Sequence, residues 1–120
     1  MTDRVPTIYV YDQDRTSPFG KKIEPLTTAS LPRNQWHSIS LYVRLNSGAN
    51  ASDGLIELYV NGTKRAEYKN VRLRGVTTDD TRANTLLFHT FFGGTDTGEP
   101  IGTAHARFDE IYVREGKTIR

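Results

Sequence analysis

Tyr9 and Tyr11 stand two residues apart in the apolar run Ile8-Tyr9-Val10-Tyr11. Side chains of an extended strand alternate between its faces, so both phenols share one face, about 7 Å apart along it. A tyrosine hydroxyl has an unperturbed pKa of about 10. It is a general acid as it stands, and a general base where nearby cations favour the phenolate. Two such neighbours can pass protons to and from a bound molecule. The same alternation also suits a half-buried strand that does no chemistry.

Other chemistry-bearing residues are scattered. Lys64, Arg65, Lys69, Arg72 and Arg74 form the densest positive run, which could line a polyanion groove or simply guard a hairpin edge with charge. His37, His89 and His105 are isolated, and His37 is expected on the inner side with Ile39. No His/carboxylate spacing suits a transition metal. Calcium held by loop oxygens leaves little trace in a sequence and stays open, and no other cofactor is indicated. There is no cysteine, so no disulfide framework and no thiolate chemistry. Neither a Ser/His/Asp nucleophile pattern nor a glycine-rich phosphate loop is present.

Short strands must position these groups. Alternation marks residues 7–11, 36–45, 55–60, 63–68, 84–92 and 104–113, separated by turn-rich segments. Asn61-Gly62 between the third and fourth is a type I′ hairpin signal, and Asp53-Gly54 marks the entry to that hairpin. In residues 36–45, Ile39, Leu41, Val43 and Leu45 form one face, expected to be core. Trp36, Ser38, Ser40, Tyr42 and Arg44 form the other, expected to meet solvent or wall a cleft. Ile56, Leu58 and Val60 oppose Glu57 and Tyr59 in the same way. Residues 12–33 read as a long loop, of the kind that is usually functional or mobile. The pattern is all-β, an antiparallel sandwich or jelly roll in one domain over residues 1–120.

The chain has 120 residues, 25% of them charged, with a net charge of +2. That mild excess suits an anionic partner or ordinary solubility. No apolar run approaches the ~18 residues of a membrane span, and no signal-peptide pattern opens the chain. No membrane partner is expected.

An ordered series of motifs resembles the polysaccharide lyases of family 14 and their glucuronan lyase relatives. It comprises Tyr9-Val10-Tyr11, Pro18-Phe19-Gly20, Trp36-His37-Ser38-Ile39, Leu45-Asn46, Asp53-Gly54, Val60-Asn61-Gly62, Thr90-Phe91-Phe92-Gly93-Gly94 and Phe108-Asp109-Glu110-Ile111. Tyr11-Asp12-Gln13 also looks like the Tyr-Asn-Gln strand end of family 7 alginate lyases, with Asp in place of Asn. The resemblance implies a concanavalin A-like jelly roll that cleaves a polyuronate such as alginate or glucuronan by β-elimination. It makes Tyr11 the residue for proton transfer and Tyr9 its partner, or the residue that positions substrate. Gln13, Arg44 and Tyr42 are then candidates for contacting the acidic polysaccharide. The parent protein would be extracellular.

In that family a catalytic lysine and substrate-binding arginines precede the Tyr-x-Tyr strand, and a whole jelly roll takes roughly 180–250 residues. The expectation is therefore an incomplete fold, the C-terminal portion of the domain. Such a chain should have little turnover alone and should self-associate or pair with a missing N-terminal half. A non-catalytic, lectin-like module using Trp36, Tyr42 and Tyr59 is the alternative. Nucleic-acid binding is not expected, because no recognised module pattern is present.

Overall fold

The computed structural model describes residues 4–89 and 105–120. Its centre is an antiparallel sheet of β3 (Ile39–Arg44), β4 (Gly54–Val60) and β5 (Thr63–Val71), in that order. A smaller antiparallel pair, β1 (Ile8–Val10) and β2 (Lys21–Ile23), forms the second sheet. One 3₁₀ turn at Asp79–Thr81 is the only helical element among the described residues. The protein is all-β, with two antiparallel sheets, as the alternation predicts.

The hairpin forms where its turn residues require it. Asn61 and Gly62 both have positive φ, 50° and 79°, the left-handed conformation that a type I′ turn needs. The Asn61 side chain also accepts the Ser38 N–H at 2.9 Å, tying the turn to the start of β3. β5 runs to Val71, past the expected end at residue 68. Two register shifts permit this, leaving Arg65 and Asn70 without direct partners in β4. Each behaves as a β-bulge. Asn70 has φ 55°, and Arg65 turns outward so that its backbone oxygen accepts from Leu26 N–H at 2.7 Å.

Ile8, Val10 and Ile23 of the small sheet pack on Ile56, Leu58 and Ala66 of the large one. Full burial of each large aliphatic side chain contributes about 1.5–3 kcal/mol. The small sheet covers only the β4–β5 half of the apolar face. Ile39, Leu41 and Val43 lie opposite Val60, Leu58 and Ile56 across the β3–β4 ladder, so they share the core-facing side. Yet they are 54%, 61% and 42% exposed. The expected core role of β3 therefore fails: its apolar face points the right way, but among the described residues no second layer stands over it.

Three further expectations change. β2 lies inside the stretch read as a loop. Residues 84–89 and 105–113 carry the alternation of strands yet form none, because neither segment is paired to a sheet edge. They meet at Phe88 and Phe108, whose rings stand edge to face at 4.7 Å. The Thr90-to-Gly94 motif and the rest of the expected strand 84–92 lie outside the described residues.

Candidate active site

Burial of Ile8 and Val10 in the core turns Tyr9 and Tyr11 to the outer face of β1. Both rings are 54% exposed and meet edge to face with centroids 5.5 Å apart. Gly20 shapes this contact. A Cβ there would lie 2.7 Å from Tyr9 Cε1 and 2.8 Å from the Val10 carbonyl oxygen, so only glycine lets the Tyr9 ring rest on the neighbouring chain. The Tyr9 pKa is raised, first by its hydrogen bond with Tyr11, then by desolvation and by the adjacent phenolate charge, with the Gly20 backbone opposing. Tyr9 thus holds its proton more tightly than a free tyrosine.

The structure surrounds this pair with cations that sequence reasoning did not single out. Lys22 is directly opposite Tyr9 in the β1–β2 register, which puts it on the same outer face. The Arg15 guanidinium lies 5.6 Å from the Tyr11 ring centroid and donates to the Asp12 carbonyl at 3.0 Å. The signal for Lys22 was the short run Lys21-Lys22-Ile23 after Gly20, too brief to read as a strand.

Asp12 is buried. It accepts from the Tyr68 hydroxyl at 2.7 Å and from Asp14 N–H at 3.1 Å, and it holds the Tyr68 phenol up at about 12, with burial of that ring adding to the shift. It is a structural anchor facing inward, which accounts for Asp at a position where the resemblance offers a substrate-contacting Asn. Gln13 follows as the chain leaves β1. Its N–H bonds the Arg72 carbonyl at 2.9 Å, and its side chain reaches toward the Leu73 carbonyl at 3.5 Å.

Tyr42 and Arg44 are elsewhere. They project from the face of β3 opposite Leu41 and Val43, whereas the tyrosine pair projects from the outside of the other sheet. The expected set is therefore split between two sides of the protein. The Tyr42 side holds a cleft of about 380 Å³ lined by Arg44, Asp53, Glu57, Lys64, Glu67 and Lys117, among others. Glu57, expected on a solvent or cleft face, is only 2% exposed. Lys117 bonds it at 2.5 Å, and Lys64 pairs with both Glu57 and Glu67. The Lys117 ammonium also stands 5.2 Å from the Tyr42 ring and 5.4 Å from the Tyr59 ring. Burial pushes Glu57 up, but hydrogen bonds from Lys117, Lys64 and Tyr59 outweigh it and bring the carboxyl to about 2.

The basic run is likewise engaged. Lys69 pairs with Glu67 at 3.2 Å, Arg72 with Asp14 at 2.7 Å, and Arg74 donates to the Asn46 carbonyl at 2.9 and 3.0 Å. These cations brace the fold, in line with the reading of the run as a charged hairpin edge. Among the described residues, no three His, Asp or Glu side chains converge as a metal site would need. No described helix is long and apolar enough to cross a membrane.

The sequence model of one family, polysaccharide lyase 14, matches residues 14–109. The chain belongs to the polysaccharide lyase 14 family. That membership gives it a polysaccharide-processing role. The matched span takes in β2 to β5, with Arg15, Lys22, Tyr42 and Arg44, and starts just after Gln13. No curated protein and no solved structure matches the chain.

Proposed function

We propose that this polysaccharide lyase 14 domain acts on a polyuronate, alginate or glucuronan, by β-elimination at the Tyr9–Tyr11 face. The supporting observation is the exposed pair of touching phenols, one of which holds its proton tightly. Elimination removes the C5 proton of a uronate. The C–H electron pair becomes the C4=C5 double bond, the C4–O4 bond breaks, and O4 takes up a proton. Tyr11 is the base that receives the C5 proton. Tyr9 remains a phenol, donates to the Tyr11 oxygen, and orients the sugar. The proton gained by Tyr11 is then available to O4, which leaves the pair ready for another cycle. A polysaccharide substrate of this kind also supports an extracellular setting for the parent protein.

A binding-only role through Trp36, Tyr42 and Tyr59 has less support. Trp36 is 68% exposed, but Tyr59 is buried, and Lys117 covers both tyrosines. The test follows the ultraviolet absorbance of unsaturated product from alginate and from glucuronan. It uses the chain alone and the chain joined to the upstream strands that the resemblance implies. Tyr11→Phe keeps the ring and removes the proton carrier, so turnover should fall ~10²–10⁴-fold. Turnover that survives Tyr11→Phe, or none in either form, overturns the proposal.

A further inference from the structure

Family membership leaves open what part of a sugar chain the tyrosine face would grip. We infer that Lys22 and Arg15 are a carboxylate-binding pair flanking Tyr9 and Tyr11, so that this face takes uronates and not neutral sugars. The inference rests on the proposed lyase reading for its catalytic meaning, and on the arrangement of charge for its binding meaning.

The two faces of the protein differ in how their cations are compensated. Around the Tyr42 cleft, Lys64, Lys69 and Lys117 all pair with Glu57 or Glu67. An incoming carboxylate there competes with carboxylates already bound. Lys22 and Arg15 have no ion pair among the described residues, and both are exposed. Arg15 is held by one bond, to the Asp12 carbonyl, and by the Tyr11 ring. This leaves much of its planar donor array free, in the form that grips carboxylates in a bidentate way.

The order along the face is equally telling. Thr7 and Glu24 lie beyond the Tyr9–Lys22 pair at one end. Tyr9 faces Lys22, Tyr11 continues past the glycine notch at Gly20, and Arg15 sits at the other end. The acid Glu24 is thus outside the cationic stretch, on the side away from Tyr11. One positive charge stands at each end of the phenol pair. A carboxylate bound to either would keep its own sugar ring beside a phenol oxygen. Neutralising that carboxylate also withdraws electron density from C5, which helps a phenolate remove its proton. Lys22 and Arg15 are therefore binding residues whose loss should affect affinity first and turnover second.

The experiment titrates the folded chain with a uronate oligomer and with the same oligomer methyl-esterified, following amide shifts by NMR. Wild type should bind the acid form at least ten-fold more tightly than the ester. The double variant Lys22→Gln/Arg15→Gln should lose that preference, and Lys22→Arg should retain it. Lys69→Gln, on the compensated face, should behave as wild type. Equal affinity of wild type for both oligomers, or an unchanged preference in the double variant, overturns the inference. Tyr11→Phe separates it from the lyase reading, because that variant should bind normally. A protein that binds by this pattern but never cleaves refutes the lyase reading alone. One that cleaves while the double variant keeps its affinity refutes only the inference.

Discussion

Asn46 closes the end of β3 and reaches the site through the backbone. It is fully buried, at 0% exposure, and every polar atom of its side chain is used. Its Nδ2 donates to the Gly48 and Arg74 carbonyls at 2.7 and 2.9 Å. Its Oδ1 accepts from Leu73 and Arg74 N–H at 2.9 and 3.0 Å. The segment it clamps is the one to which the chain leaving Tyr11 is tied, through Gln13 N–H and the Arg72 carbonyl. At about 1 kcal/mol net for each bond, Asn46→Ala should cost about 4 kcal/mol, more where the orphaned groups stay dry. That is a large part of the ~5–15 kcal/mol that holds a domain together. Asn46→Asp keeps the acceptor but turns a carboxylate oxygen onto the Gly48 and Arg74 carbonyls at a fully buried site, so at neutral pH it should cost at least as much as Asn46→Ala. Urea unfolding followed by circular dichroism measures both, as midpoint shifts at constant slope. A loss below about 1 kcal/mol for Asn46→Ala, or an Asn46→Asp variant as stable as wild type, would refute the reasoning.

Glu57 has a folded-state pKa of about 2 against an ordinary 4.5, so its contribution to stability is complete above about pH 4.5 and disappears as pH falls toward 2. Acid unfolding should steepen in that window and flatten in Glu57→Gln, measured by thermal melts across pH. Tyr9 is held up first by its bond to Tyr11; in Tyr11→Phe its titration, read by phenolate absorbance, should move down, and an unmoved Tyr9 would mean that the pair does not interact in solution. The β3 face, bare among the described residues, should make the chain associate as concentration rises. Leu41→Lys should suppress this in sedimentation velocity with under about 0.5 kcal/mol of stability change, and a wild type that stays monomeric at all concentrations would count against it.

What the sequence made legible was local. The Asn61-Gly62 hairpin needs only its own backbone angles, and the outward placement of Tyr9 and Tyr11 follows from alternation against Ile8 and Val10. What it concealed depends on partners far along the chain. Glu57 reads as a surface acid because its neighbours in β4 alternate correctly; its burial is set by Lys117, sixty residues later. Asp12 reads only as a departure from the Tyr-Asn-Gln pattern; its role as an anchor depends on Tyr68, fifty-six residues later. Alternation in β3 identifies an apolar face but carries no information on whether a layer covers it, and here the small sheet stops over β4 and β5. Lys22 shows the same limit at the site itself. A three-residue strand has too little periodicity to be seen, so only the pairing with β1 places its charge across from Tyr9. The motif names the two residues that could move a proton; the register between strands supplies the charge that would decide which sugar they meet.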